Sequence, residues 1–538
     1  MQSLGASTVS QVGATTGASV GSGAVVSTTG ASVDVTAVSV ELAESSPPHE
    51  ASASNPATAN VAPIRNEERE DWRDDMIDPL VVRSDYKARY RFARTVFMRI
   101  MGGASKLRDT VTRVSEVEQR APGFVDPSVL PSPSDARIAV RVSRPGLRAI
   151  RSGSPWLFDQ AVESHKPAGA SGDLAVVFDD NRRFAAIGLW DPESPIRVKV
   201  LHVGKPVTID DDWWRNKMRQ ALDVRRQLLS TGLTTGFRWV HGENDGLPGL
   251  IVDQYASTAV IKLYTGAWFV HLRSIMKALI EVGSLERVVI RFSRLVRDGE
   301  TYGLVDGDTL YGEPPSGPIM FLENGLALEA DVVFGHKTGH FLDQRDNRAI
   351  VRNLASGCRV LDVFSSTGGF TLSAAAGGAK SVHMVDVSAP ALATAHRNLE
   401  HNKEIGSIAT CKVTDVRGDA FAVLEDMVER GEQFDIVILD PPSFAQNQAS
   451  ILRALSSYER LARLGLRLTA PGGTLLQASC SSRVNIDELA DAAYLAARTA
   501  QVDIDEIKRT EHAVDHPIGF EFGAYLKAIY YKVTPYRD

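Results

Sequence analysis

Apolar and polar positions change their period along this chain, and each change marks a different kind of element. From Arg137 to about Lys205 the pattern is one of short β-rich runs: Ile138 to Val142, Leu174 to Phe178, Ala185 to Leu189 and Ile196 to His202. Pro145-Gly146, Gly153-Ser154-Pro155-Trp156 and Asp179-Asp180-Asn181 lie between them, all residues that favour turns. Short strands separated by turn signals predict a small barrel over 137–205, roughly 70 residues long. The period then lengthens. Asp211 to Leu229 opens on acidic residues and carries Trp214, Met218, Leu222 and Val224 on an apolar side, which predicts a helix. Arg238 to Tyr255 reads as two strands around Asn244-Asp245-Gly246 and Leu247-Pro248-Gly249. Further strands near Ala259 to Tyr264, Arg287 to Phe292 and Pro318 to Glu323 complete an α+β segment spanning 211–334.

In 335–538 the two periods alternate. The expected strands are Arg359 to Phe364, Ser381 to Val387, Ala409 to Val413, Asp435 to Asp440, Thr474 to Cys480, Val502 to Ile507 and Leu526 to Val533, with helices such as Pro390 to Asn402 and Ile486 to Thr499 in the gaps. Such alternation with right-handed crossovers predicts an open, doubly wound α/β sheet. No full-length helix separates the last two strands, so they are expected as an antiparallel pair at one edge.

Most of residues 1–135 follows neither period. The first 64 contain no Lys or Arg and are dominated by Ser, Thr, Ala, Val and Gly, with Thr-Thr-Gly-Ala-Ser-Val at Thr15 and again at Thr28. A secretory signal needs a basic start and a transit peptide needs arginines, so neither fits. The composition predicts a disordered low-complexity tail that cannot bury enough apolar surface to offset chain entropy. Helical spacing within 86–113 predicts one or two helices. Pro122, Pro127, Pro131 and Pro133 then predict a linker.

Bulk composition narrows the partners. At 538 residues the chain has room for about three domains, and a hydrophobic share of 43% permits substantial cores. A net charge of −7 argues against coating nucleic acid by bulk charge, so any RNA contact must be local. The barrel segment is such a place, with eleven Lys and Arg against seven Asp and Glu. Arg141, Arg144, Arg148 and Arg151 bracket its Pro-Gly step, either as an RNA-phosphate-binding rim or as a solvated charged face. Cys358, Cys411 and Cys480 are too widely spaced for a disulfide framework or a CxxC metal site. With no apolar run near the ~18 residues of a membrane span, a soluble protein of a reducing cytoplasm is expected.

Four loops follow strand ends, where open α/β sheets bind ligands. Asp362-Val363-Phe364-Ser365-Ser366-Thr367-Gly368-Gly369-Phe370 turns through glycines into a helix, though without the GxGxxG spacing of a dinucleotide site. Asp386 ends the second strand, where a carboxylate can take both hydroxyls of a ribose. Asp419 precedes the next helix, as a ligand or as an ordinary N-cap. Asp440-Pro441-Pro442-Ser443-Phe444 ends the fourth strand, its prolines stiffening the loop that carries the carboxylate.

Together these loops resemble those of the class I S-adenosylmethionine-dependent methyltransferases. From about Arg137 onward the chain resembles, more narrowly, the RlmI-like ribosomal RNA large-subunit methyltransferases. The resemblance rests on the run from Gly335 through Lys337, Phe341, Gln344 and Arg345 to Arg348, on Val360 to Phe370, on Asp-Pro-Pro-Ser-Phe, on Ser479-Cys480-Ser481 and on Asp515-His516-Pro517. It implies a PUA-like RNA-binding barrel over 137–205, the α+β middle domain, and a Rossmann-like methyltransferase domain over 335–538. It also implies S-adenosylmethionine as cofactor and large-subunit rRNA as partner. Lys337, Phe341, Gln344 and Arg345 would line the cofactor's methionine end, Asp362, Phe364, Ser366 and Gly368 its core, Asp386 its ribose and Asp419 its adenine, with Asp440 also counted among the cofactor-binding residues. Assembly as a homodimer is left open.

Carbon 5 of cytosine is too weak a nucleophile to take a methyl group unaided. Cys480 is therefore expected to add to carbon 6, with Asp440 holding the base edge at N3. Two alternatives stand beside this cytosine-5 reading: methylation of a guanine or an exocyclic amine, with Cys480 idle, and a non-catalytic RNA-binding or ribosome-assembly factor. His512 and His516 flank Asp515 but lack a third partner at metal-ligand spacing, so no metal is expected.

Overall fold

The computed structural model describes residues 120–445 and 450–536. The expected tail and the helices within 86–113 lie outside the described residues. The proline-rich stretch that follows departs from a free linker. Arg120 pairs with Asp308, Val125 N donates to Thr309 O at 2.9 Å, and Leu130 is buried while its carbonyl accepts from Arg273 at 2.7 Å. The prolines preset an extended path whose free backbone groups the following domain satisfies.

The next segment forms a six-stranded sheet. Its strands are β1 (Arg137–Val142), β2 (Trp156–Phe158), β3 (Val162–Lys166), β4 (Leu174–Phe178), β5 (Phe184–Trp190) and β6 (Ile196–Val203), in the order β2-β6-β5-β4-β1-β3. The expected Pro145-Gly146 turn is instead the first turn of helix α1 (Arg144–Arg151), where the Ser143 side chain accepts from Gly146 N and Pro145 occupies the first turn, the one place in a helix that tolerates it. A Cβ on Gly146 would come within 2.8 Å of the Ala161 Cβ, so glycine there serves close packing of α1 on the sheet.

Helix α2 (Asp211–Leu229), N-capped by Asp210, and α3 (Leu272–Gly283) pack together beside a five-stranded sheet. That sheet is ordered β11 (Thr309–Tyr311), β10 (Arg287–Phe292), β9 (Thr258–Leu263), β8 (Leu250–Tyr255), β7 (Gly236–His241). Trp214, Trp239 and Trp268 are buried in the shared core. A hairpin of β12 (Ile319–Glu323) and β13 (Leu326–Ala330) leads onward.

The last segment is a seven-stranded sheet whose order is β16-β15-β14-β17-β18-β20-β19. These are β14 (Arg359–Val363), β15 (Ser381–Asp386), β16 (Lys412–Arg417), β17 (Phe434–Leu439), β18 (Thr469–Ser479), β19 (Val502–Thr510) and β20 (Lys527–Pro535). The five strands from β16 to β18 run parallel, and β20 is antiparallel to both its neighbours. Helices α4 (Arg345–Leu354), α5 (Gly369–Ala376), α6 (Ala389–His401), α7 (Ala420–Glu429), α8 (Ile451–Leu468) and α9 (Ile486–Ala500) flank it. Three expectations shift here: the strand expected from Ala409 to Val413 begins only at Lys412, because Gly406–Thr410 makes a helical turn that buries Ile408, the strand expected from Thr474 begins already at Thr469, and the one expected to end at Ile507 runs on to Thr510. The chain runs from β14 outward to β16 and returns to β17 on the other side of β14, so strand order reverses between β14 and β17. The crevice at their carboxyl ends is the natural ligand site.

Candidate active site

At that reversal β14 ends in the glycine turn. Phe364, Ser366 and Gly368 have φ of 62°, 48° and 75°, so the backbone winds tightly before α5. Only glycine adopts such values without cost, and a Cβ on Gly368 would sit 2.6 Å from the Ala395 Cβ. Asp362 is buried. Its Oδ2 accepts from Thr371 Oγ1 at 2.6 Å, while Oδ1 has no protein partner. Burial, with the negative fields of Asp440 and Asp386 adding to it, pushes its carboxyl up to about 7. A buried carboxylate oxygen without a donor is costly and fits a ligand that brings one, such as an ammonium or hydroxyl.

Asp386 accepts from Ser366 N at 2.9 Å and Ser388 N at 2.8 Å, which ties the ends of β14 and β15 together and aims the carboxylate at the crevice rim. Asp419 is exposed and N-caps α7, accepting from Ala422 N at 3.1 Å. The N-cap expectation therefore describes one of its oxygens and leaves the other without an assigned partner.

The loop from Gly335 to Gln344 closes over the same crevice. Lys337 Nζ lies 4.4 Å from the Phe341 ring centroid and 3.7 Å from Asp343 Oδ2, which also accepts from Tyr525 OH at 2.9 Å. Gln344 Nε2 donates to Asp440 Oδ1 at 2.8 Å, and Asn347 Nδ2 donates to Gln344 Oε1 at 2.6 Å. Burial, reinforced by the Asp343 charge, pushes the Asp440 carboxyl up to about 7. The resemblance puts Arg345 at the cofactor's methionine end; its buried guanidinium donates through both terminal nitrogens to Asp515 at 2.9 and 2.6 Å, while its Nε has no hydrogen-bond partner among the described residues. Asp515 also accepts from Arg238 N at 2.9 Å, and its carbonyl accepts from Arg225. The Asp515-His516-Pro517 string thus holds the catalytic segment against the middle domain.

Parallel pairing of β17 with β18 brings the two strand ends side by side. Cys480 Sγ lies 3.9 Å from the Pro441 carbonyl oxygen, and the thiol is partly accessible. Burial pushes it up to about 12. The Asp440 and Asp343 charges push the same way, while Lys337 and Lys527 oppose. The other two cysteines, Cys358 and Cys411, pack against a hydrophobic cluster away from these loops. His512 Nε2 accepts from Tyr525 N and Leu526 N, and His516 Nδ1 contacts Asp515. Among the described residues, no group of three or more His, Cys, Asp or Glu is arranged to hold a metal.

Asp343 and Asn347 lie within the quoted run from Gly335 to Arg348 but are given no role there, and Tyr525 and Lys527 fall outside every quoted motif. Of the last two, Lys527 leaves a trace, as a charge opening the apolar run Ala528-Ile529-Tyr530-Tyr531. On the barrel, Arg141 pairs with Glu163 and Arg144 with Asp180 on exposed surface and Arg151 with the buried Asp179, while Arg148 makes no ion pair among the described residues. The expected rim is therefore partly neutralised by its own carboxylates.

Comparison with known proteins matches residues 302–532 to the family "S-adenosylmethionine-dependent methyltransferase" and residues 140–202 to a PUA-like domain. A ribosomal RNA large subunit methyltransferase of Deinococcus radiodurans is 42% identical over 405 residues, covering 74% of this chain and 98% of that protein. The ribosomal RNA large subunit methyltransferase I of Pseudoalteromonas translucida is 35% identical, covering 72% of this chain and 97% of its own length. Among solved structures, one from Streptococcus mutans described as a SAM-dependent methyltransferase superposes with a TM-score of 0.62 at 21% identity, covering 73% of this chain and 99% of that one.

Proposed function

The chain belongs to the S-adenosylmethionine-dependent ribosomal RNA large subunit methyltransferases, and from that premise we propose that it methylates carbon 5 of a cytosine in large-subunit rRNA through a covalent bond from Cys480 to carbon 6. The observation that carries the reading is the placement of Cys480 beside the Asp440-Pro441-Pro442 loop at the ends of two neighbouring parallel strands. When bound, the cofactor supplies an electrophilic methyl group. Asp362, Asp386 and Asp419 would meet its amine, diol and adenine, and Phe364, Ser366 and Gly368 its backbone-facing side. Lys337 and Phe341 would meet its methionine end, and the carboxylate finds its counter-charge in Lys337.

In the reaction the Cys480 thiolate forms a bond to carbon 6 while Asp440, protonated in part near neutrality, gives its proton to N3. The electron pair released from the 5,6 double bond makes carbon 5 nucleophilic, and carbon 5 takes the methyl group. Loss of the carbon 5 proton to water and return of the N3 proton to Asp440 restore the double bond and expel the sulfur. Gln344 keeps Asp440 Oδ1 occupied, which leaves Oδ2 for the base edge. We further infer that the barrel arginines, Arg148 foremost, contact RNA phosphates, and that an rRNA substrate makes the cytoplasm the working compartment.

The high thiol value favours a second reading, transfer to an exocyclic amine with Asp440 as hydrogen-bond acceptor. Cys480→Ser separates the two. On the covalent route methyl transfer to rRNA falls at least about a thousandfold while cofactor affinity persists; retained transfer defeats that route. Nucleoside mass spectrometry of the product rRNA then reads whether 5-methylcytosine is formed.

A further inference from the structure

Lys527 is a buried cation with no acid beside it. It opens β20, where it pairs in register with Ser479, the residue before Cys480. Its residue surface is 7% exposed, and Nζ donates to the carbonyl oxygens of Ser481 and Val484, both on the loop that follows the cysteine. Among the described residues no Asp or Glu lies within ion-pair distance of Nζ, and Glu488 acts on it only at longer range. An unpaired buried ammonium is costly, so a fold that keeps one is expected to place an anion next to it at some stage. The anion that can form here is the Cys480 thiolate. We propose that Lys527 is the positioning residue for the nucleophile: two carbonyl oxygens hold its ammonium beside the end of β18, where it favours ionisation of Cys480 and fixes the loop that carries the sulfur.

This inference rests on the reading of Cys480 as nucleophile. The remaining groups that face the sulfur work against one another: Lys337 assists ionisation, Asp440 and Asp343 oppose it, and Tyr458 and Tyr525 stand near as neutral hydroxyls. Lys337 belongs to the cofactor loop and is paired with Asp343, whereas Lys527 has only carbonyl partners, which makes it the cation free to answer the thiolate. Losing one proton from the pair leaves either amine and thiol or ammonium and thiolate. Burial pushes the Lys527 ammonium down to about 8 and the Cys480 thiol up to about 12, while the two carbonyl acceptors and the attraction between ammonium and thiolate act the other way, so the two groups titrate as a unit.

The test is the pH dependence of Cys480 alkylation by iodoacetamide in the full-length protein, read peptide by peptide by mass spectrometry so that Cys358 and Cys411 are resolved. Lys527→Gln can keep a hydrogen bond to the loop carbonyls without the charge, and the alkylation midpoint should rise by about one pH unit or more. Lys527→Arg stays charged at every pH, so its midpoint should match or fall below that of the parent protein. An unchanged midpoint with glutamine, or a raised one with arginine, overturns the proposal. The arginine result decides it should the glutamine protein no longer bind S-adenosylmethionine. Because alkylation is followed without RNA, it judges Lys527 independently of the methyl-transfer assay on Cys480→Ser that judges the covalent route.

Discussion

Gln344 Nε2 donates to Asp440 Oδ1 at 2.8 Å, so a residue of the loop 335–344 sets the orientation of the carboxylate at the end of β17. Asn347, one turn into α4, holds Gln344 in turn at 2.6 Å, and Thr510 Oγ1 donates to the Asn347 side-chain oxygen. Placement of the loop and aim of the carboxylate are therefore coupled through a chain of hydrogen bonds.

Gln344→Leu should break that coupling. With Oδ1 released, Asp440 loses its fixed direction toward the base, and kcat should fall about ten- to hundredfold with a smaller change in the dissociation constant for S-adenosylmethionine. Transfer of tritiated methyl groups to rRNA and calorimetry of cofactor binding read the two quantities. An equal loss in both would make Gln344 a cofactor ligand and nothing more.

On the proposed covalent route, the pH dependence of the reaction follows from two perturbed groups. Asp440 must be protonated to serve N3, a form present below about 7 and lost above it. Cys480 must be ionised, a form that grows with pH toward about 12. The fraction carrying both forms rises with pH up to about 7 and is then level, because each further unit of pH gains thiolate and loses acid in equal measure. The rate should show that break. Asp440→Asn removes the acid limb, and its residual activity should keep climbing with pH past 7. A parent profile that falls steeply between 8 and 9 would contradict the assignment.

Asp515→Ala should destabilise the protein by about 3–5 kcal/mol, since it leaves the Arg345 guanidinium buried without a counter-charge and the Arg238 amide without an acceptor. Urea unfolding measures the loss. Arg345 and His516 hold the Asp515 carboxyl well below the usual range. Its stabilisation is therefore complete above its unfolded value near 3.9 and is lost only as pH falls through the lower folded value. Removing the charge by substitution should weaken the protein at neutral pH, where acidification to pH 5 does not.

Where the determinants are local, they are legible in order along the chain. The helix Asp211–Leu229 and the strands Leu174–Phe178 and Arg287–Phe292 have the ends that the apolar period and its breakers predict. Residues 144–151 go the other way. Pro-Gly suggests a turn, but Ser143 caps the backbone, and packing against Ala161 selects glycine for its lack of a side chain. The pairings missed at the site share a different cause. Tyr525 reaches Asp343 across 182 positions and Arg345 reaches Asp515 across 170.

The sequence by itself determined the alternation that builds the sheet and, with it, which carboxylates and which cysteine end up at strand ends, since strand identity and direction follow from periodicity and crossover handedness. Tertiary structure alone decided which of these groups meet and which are already satisfied. It gave Arg345 to Asp515 and aimed Asp440 through Gln344, and it set Lys527 beside the end of β18 without an acid. The physical reason is that burial and charge pairing depend on what lies within a few ångströms in space, and separation along the chain carries almost no information about that distance.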